Sequence, residues 1–463
     1  MKIEKRQLQK TFLTALILCG CSVYATAQNA EKGWVNLFDG KTLNGWKKLA
    51  GEAQYKVEDG AIVGTTVMNS GNTFLVTEKE YGDFILELDA KVESELSNSG
   101  VQTRSHFDAG ANNGKGKVYG RQMEFDPSER AWSGGIYDEG RRDWLYPLSL
   151  NPKAKGAFKT GEFNHIRVEC IGNEMRTWIN NVPCAYVVDT VDQQGFIGLQ
   201  VHGINREEQA GKNVYFKNIR IKTTGLTSKS FPAGIYVVNT VPNFLSPYEK
   251  KNGWNLLFDG KTTKGWLGAH KDSFPAKGWK VSDGILTVLS SEGKESANGG
   301  DIVTKEQYSA FDLSFEFKLT PGANSGVKYF VTLAEKNTGS AIGLEYQILD
   351  DQLHPDAKLG RDGNRTLASL YDLIKADKQS RFTRPIGQWN RGRIVVYPDN
   401  RVEHYLNGVK VIEYVRGSEE FRKLVAISKY KNWNKFGEAP KGHLLLQDHG
   451  NEVSFRSIKI KTL

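Results

Sequence analysis

Phe84-Ile85-Leu86-Glu87-Leu88-Asp89-Ala90 and Phe311-Asp312-Leu313-Ser314-Phe315-Glu316-Phe317 alternate apolar with polar side chains. Successive side chains of a strand point to opposite faces, so such a segment buries one face and wets the other. Both segments are short and bounded by Gly, Asn or Pro turns. Helical periodicity is nearly absent along the chain, and Tyr371 to Lys378 is the stretch with room for a helical turn or two. Many short alternating strands predict an all-β protein of antiparallel β-sandwiches of jelly-roll type.

The two strands belong to copies of one unit. Trp34 to Trp46 reads WVNLFDGKTLNGW and Trp254 to Trp266 reads WNLLFDGKTTKGW. Asn98-Ser99-Gly100-Val101 returns as Asn324-Ser325-Gly326-Val327, and VYFKNIRIKTT at the end of the first copy as VSFRSIKIKTL at the end of the second. The order is kept and the spacing grows little, so each copy is a whole domain and not one unit of a solenoid. Residues 30–224 are the expected first sandwich and 252–463 the second. Residues 225–251, with Pro232, Pro242 and Pro247, are the expected linker.

A chain of 463 residues exceeds what one hydrophobic core usually supports. Its net charge of +9 comes from interspersed Lys and Arg, with no run that reads as a nucleic-acid arm. Lys2, Lys5, Arg6 and Lys10 precede an apolar run from Thr11 to Gly20, too short to span a bilayer but suited to a secretory signal. Two cleavage readings compete. Leu18-Cys19-Gly20-Cys21 resembles a lipobox, which would end the leader at residue 20 and lipidate Cys21; Ala25-Thr26-Ala27 resembles an ordinary site, which would end it at residue 27. Export to the periplasm or the outer membrane is expected either way, with membrane contact only through Cys21. Counting register through turns at Gly172-Asn173 and Asn180-Asn181 places Cys170 opposite Met175 and Cys184 opposite Thr177. These are not neighbouring positions, so two buried free thiols are expected.

The candidate chemistry lies in GLEYQILDDQLHPDAKLGRDGNRTLASLYDLI, Gly343 to Ile374. Strand alternation puts Glu345 and Gln347 on one face, roughly 7 Å apart. An unpaired buried charge is costly, so this face meets water, a ligand or a metal. Asp350, Asp351 and His354 follow, and Asp350 with His354 is the weak candidate for a divalent metal. In the first copy Gln122, Glu124 and Asp126 alternate in the same way. Aligning Gly120 with Gly343 sets Gln122 at the place of Glu345 and Glu124 at that of Gln347, so acid and amide have changed places. Neither copy offers the two carboxylates at this spacing that a conventional glycosidase sets across the scissile bond.

A second shared signature, Gln-x-His-Gly, supplies Gln200 and His202 in one copy and Gln447 and His449 in the other. Lys328 aligns with Gln102, with Arg104 two residues on, and either cation could hold a hydroxyl or carbonyl oxygen. A solvated sheet edge is the alternative. His404 occurs in the second copy alone, where the first has Thr177. Trp132, Tyr137 and Tyr371 are candidate stacking surfaces for sugar rings, with Asp372 beside the last.

Leu-Phe-Asp-Gly-Lys followed by Gly-Trp, Asn-Ser-Gly, Glu345-x-Gln-Ile-Leu-Asp-Asp351, Leu370-Tyr-Asp372 and Leu406-Asn-Gly408 resemble the 3-keto-disaccharide hydrolase domain family. Its members look like concanavalin A-type lectin and glucanase sandwiches. The resemblance covers both copies, and the first resembles another branch than the second. It implies cleavage of a glycoside already oxidised at C3: the ketone acidifies the C2 proton, one base removes it, and the C1 substituent leaves by β-elimination or is replaced by water. On that reading Glu345 or His449 is the base, and Lys328, or a metal at Asp350 and His354, stabilises the enolate. Glu124, His202 and Arg104 would take these parts in the first copy. The amides Gln347, Gln447, Gln122 and Gln200, together with His404 and Asp126, would bind substrate. A glucanase-type hydrolase and a non-catalytic lectin-like protein are the alternatives.

Overall fold

The computed structural model describes residues 33–334 and 341–463, so the expected leader with Cys19 and Cys21 lies outside the described residues. In strand Phe84–Val92 the side chains of Phe84, Leu86, Leu88 and Ala90 turn into the first core. Glu87 faces the other way, where the guanidinium groups of Arg167 and Arg220 ion-pair with its carboxylate. Strand Phe311–Leu319 repeats the pattern: Phe311, Leu313, Phe315 and Phe317 enter the second core, while Asp312 and Glu316 pair outside it with Arg393, Arg391 and Arg456.

Among the described residues each half consists of two facing sheets. The first half has a nine-stranded and a seven-stranded sheet, the second an eight-stranded and a five-stranded one. Nearly all pairings are antiparallel, and each hydrophobic core draws residues from both sheets of its half, as in a β-sandwich. The chain is therefore all-β, as the alternation predicts.

Three details differ from the sequence expectation. The segment 225–251 is not a loose spacer. Val238–Asn239 pairs in parallel with Val187 and Val188, and Pro247–Lys251 is a short α-helix. Ser246 and Glu249 form a capping box around Pro247, a helix-start signature set beneath the prolines of an apparent linker. Tyr371 to Lys378 is not helical; Leu370 bridges to Tyr346 and Ile374 instead, and the longer helix is Glu419–Ala426, capped by Ser418. Cys170 does face Met175, but a register shift after Thr177 sets that residue opposite Ala185 and moves Cys184 off it. Both thiols are buried and free.

Candidate functional site

Each half carries a polar cleft on the face of its smaller sheet that points away from the core. Along Leu344–Leu349 the side chains of Leu344, Tyr346 and Ile348 enter the core, and Glu345 and Gln347 line a cavity of about 320 Å³ on the other side. Along Lys117–Phe125, Met123 and Phe125 are core and Gln122 and Glu124 line a cleft of about 550 Å³.

The Asn-Ser-Gly motif builds both floors. Gly326 pairs with Gln347 and Lys328 with Glu345; Gly100 pairs with Glu124 and Gln102 with Gln122. A Cβ on Gly326 would lie 2.3 Å from Glu345 Oε1, and one on Gly100 would lie 2.5 Å from Gln122 Cδ. The glycine thus makes room for the polar side chain of the neighbouring strand. The serine fixes the third strand: Ser325 Oγ donates to the carbonyl of Gln447 at 2.8 Å, and Ser99 Oγ to that of Gln200 at 2.7 Å. Asn324 lines the second cavity, and Asn98 donates to Glu124 Oε1 at 2.7 Å.

In the second cavity Glu345 is 5% exposed; its carbonyl accepts from the Tyr371 amide at 3.0 Å, which leaves its carboxyl facing the cavity. Burial raises its pKa, while Lys328, Lys429 and His449 oppose the rise. The Lys328 ammonium donates to the carbonyl of Ala341 at 3.0 Å and lies 3.7 Å from Asp301 Oδ2. Burial works against its charge, but Asp301 and Glu345 hold its pKa above the ordinary lysine value. Burial pushes the Asp301 carboxyl up to about 7. The rings of His354 and His449 meet edge to face at 5.7 Å. Gln347 Nε2, Gln447 Oε1, Asn324 Oδ1 and His449 Nδ1 are buried without a partner. Buried polar atoms are nearly always satisfied, so this cluster is set out for a polar ligand.

The first cleft is built differently. Gln122 Nε2 donates to Glu124 Oε2 at 2.8 Å and to Gln200 Oε1 at 3.2 Å, and Gln102 donates to Gln122 Oε1 at 3.0 Å. An amide stands where the second half has Lys328. Glu139 faces the same space and accepts from Asn72 at 3.1 Å. Burial pushes both Glu124 and Glu139 up to about 7. Tyr137, which donates to Asp143 at 3.0 Å, and His202 complete the lining with Trp144. Arg381 and Phe382 of the second half close this cleft from the side.

Glu345, Gln347, Lys328, Tyr371, Gln447, His449 and His354 thus meet in one cavity, and Gln122, Glu124, Tyr137, Gln200 and His202 in the other. Six expectations fail on position. Arg104 is fully buried elsewhere: a register shift after Thr103 turns it away from the cleft, where it donates to the carbonyls of Gly82 and Gly172 and to Asp83. His404 lies in the core of the other sheet; its Nδ1 donates to the Ala368 carbonyl, so Nε2 accepts from Tyr329, and burial lowers its pKa to about 4. Asp350 accepts the amides of Gly322, Gln352 and Leu353, and His354 Nδ1 accepts that of Asp356. Their lone pairs hold a turn together, so the pair does not fit a metal; no group of three ligands forms among the described residues. Asp126 binds Ser128 and Arg130 at the turn after its strand. Trp132 packs behind the cleft wall against Trp144. Asp372 sits behind the cavity, accepting from Arg365 and from the amide of Lys429.

Lys429, Asp301 and Glu139 escape sequence reasoning. The repeat that singled out the other residues gave Lys429 no partner in the first copy, and Asp301 and Glu139 sit in loops or edges outside every shared motif.

A family model described as "3-keto-alpha-glucoside-1,2-lyase-like domain" matches residues 33–222 and 253–461. A Bacteroides thetaiotaomicron protein described as "3-keto-disaccharide hydrolase" is 38% identical over 233 residues, covering 46% of this chain and 79% of the relative. Two crystal structures from Parabacteroides distasonis ATCC 8503, each described as a "putative glycosyl hydrolase", are also similar. One is 30% identical with a TM-score of 0.41, over 48% of this chain and 99% of the other. The second is 26% identical with a TM-score of 0.35, over 46% and 100%.

Proposed function

The chain belongs to the 3-keto-alpha-glucoside-1,2-lyase-like domain family through both of its halves, and from that footing we propose that it cleaves glycosides carrying a ketone at C3 of the sugar. The coarser activity, a glycosyl hydrolase of this family, follows from the membership itself. The observation that supports the keto substrate is the makeup of the second cavity: one buried carboxyl, Glu345, beside the buried ammonium of Lys328, with an amide at the place of a second carboxylate.

That set suits elimination. A ketone at C3 makes the C2 proton acidic, so a single carboxylate with a raised pKa can remove it. Lys328, held protonated by Asp301, stabilises the negative charge gathering on the ketone oxygen. The C1 substituent then leaves with its bonding electrons, and His449 stands on the same cavity to protonate it. Gln347, Gln447 and Asn324 hold the sugar hydroxyls through their unpartnered atoms.

A second reading attaches to the first cleft alone. Glu124 and Glu139 share it, both poised near neutrality, which favours paired acid–base hydrolysis of an unoxidised glycoside there. The purified protein is to be incubated with trehalose, sucrose and their 3-keto forms. Cleavage of only the keto forms, lost about 10²–10⁴-fold in Glu345→Gln combined with Glu124→Gln while the fold is kept, supports the elimination. Full activity in the double variant removes both carboxyls from the mechanism. Cleavage of plain sugars that depends on Glu139 supports the second reading, and binding without turnover supports a lectin-like role.

A further inference from the structure

A groove of about 490 Å³ lies between the halves, with Arg141, Arg142 and Trp144 on one side and Trp389, Arg391 and Arg456 on the other. It adjoins the first cleft. Trp144 is half-buried and lines both spaces, and Asp143 of the cleft pairs with Arg384 of the groove at 2.7 Å. The segment that brings Arg381 and Phe382 to the cleft carries Arg384 and Trp389 on into the groove. Boundaries between domains are a common place for ligand clefts.

The two walls differ in how their positive charge is met. On the first-half wall Arg142 is fully engaged, with Asp138 at Nε and Asp189 across both Nη atoms, and Arg141 reaches Asp138 and Asp192. On the second-half wall a single carboxylate, Glu316, serves two arginines: Oε1 accepts from Arg391 at 3.2 Å and Oε2 from Arg456 at 2.7 Å. The Arg456 guanidinium lies over the Trp389 ring at 4.1 Å, and the Lys318 ammonium is 5.3 Å from the same ring. Among the described residues neither Nη of Arg456 has a hydrogen-bond partner, nor do Nε and Nη1 of Arg391. A guanidinium tied at Nε and laid on an indole presents its two Nη groups in a fixed plane, the fork that grips a carboxylate or a sulfate. Surplus positive charge in a cleft also concentrates anions there.

We propose that this groove is a binding site for an anionic sugar, one bearing a carboxylate or a sulfate ester, in a glycan that reaches on into the first cleft. The inference rests on the reading of that cleft as a glycoside site. Arg456 and Arg391 hold the anionic group, and Trp144 lies along the path between the two spaces.

The test is binding to the full chain, read by isothermal titration calorimetry, of three tetrasaccharides: neutral cellotetraose, a hyaluronan tetrasaccharide, whose charges are carboxylates, and neocarratetraose disulfate, whose charges are sulfates. In about 0.05 M salt the wild-type protein should bind at least one charged sugar about tenfold or more tighter than cellotetraose, and the difference should shrink to about threefold or less in about 0.5 M salt. The arm that binds tighter names the anion. The matching monosaccharide, glucuronate or galactose 4-sulfate, should bind about tenfold or more weakly than its tetrasaccharide, and equal affinity overturns the joint occupancy of groove and cleft. Arg456→Gln should bind the charged sugars no tighter than wild type binds cellotetraose. Arg456→Lys, which keeps the charge and loses the fork, should give up about threefold or more of the gain. An anion preference that survives in both variants, each with an unchanged melting temperature, overturns the groove site, as does a wild type that binds the three tetrasaccharides equally or binds none. The glycoside reading of the first cleft fails on a different result, the absence of any disaccharide cleavage or binding that depends on Glu124 or Glu139.

Discussion

Asp301 acts on the cavity through Lys328 and touches no part of it directly. Its carboxyl lies 3.7 Å from Nζ and is itself anchored by the amide of Asp448 at 2.8 Å. Burial works against the charge of Lys328; the nearby negative charge outweighs it and raises the pKa. Asp301→Asn removes that charge, so the Lys328 pKa falls and the ammonium is lost at a lower pH. The alkaline limb of the kcat/KM profile on a 3-keto-glycoside should move down by roughly one to two pH units. Activity at the optimum should fall about tenfold, and an unmoved alkaline limb removes Asp301 from this role. Arg104 and His404 teach the converse. Both carry chemistry-capable groups, yet one satisfies two carbonyls and a carboxylate, and the other bridges a tyrosine and a carbonyl inside the core. A buried polar side chain is spoken for by whatever it reaches, and reach depends on neighbours that a strand pattern does not include.

At the scale of elements, three adjacent strands make each floor, and the short motifs are their joints. Ser325 ties its strand to Gln447, just past the end of the strand His443–Leu446, and Gly326 clears the space into which Glu345 leans. Gly326→Ala would press a methyl group against the Glu345 carboxylate. The contact is with the tip of a side chain, so the fold should survive with a stability loss of about 1–2 kcal/mol. The displaced carboxyl should lower kcat on the order of 100-fold, because a shift of about 1 Å at a reacting group costs that much. An unchanged kcat together with an unchanged melting temperature would mean the glycine only packs. Faces and joints of this kind were legible in advance, since alternation gives the face and the repeat gives the pairing partners. The bulges after Thr103 and Thr177 were not, because an extra residue in a strand leaves no mark on the pattern of apolar and polar residues.

At the scale of the whole molecule the halves are not independent. Tyr236 is hydrogen-bonded to Ser314 at 2.9 Å, Ser149 donates to the carbonyl of Gly408 at 2.6 Å, and Arg384 pairs with Asp143 at 2.7 Å. Through this contact Phe382 of the second half packs on Trp132 and lines the first cleft beside Arg381. Phe382→Ala should therefore raise the KM of whatever activity persists in Glu345→Gln about three- to tenfold, the worth of one aromatic contact, with kcat little changed. A KM that does not move would make that wall incidental. Strand periodicity, the duplication and the polar faces of Glu345 and Glu124 are local properties of the chain, dictated by backbone geometry and the cost of burying charge, and the sequence by itself determined them. Only the tertiary structure decided that Lys429 shares a cavity with Glu345, that Asp301 backs Lys328, that Asp350 ends as a turn cap, and that one half walls the cleft of the other. Each of those depends on which distant segments are brought together, and nothing in a residue's own neighbourhood along the chain encodes that distance.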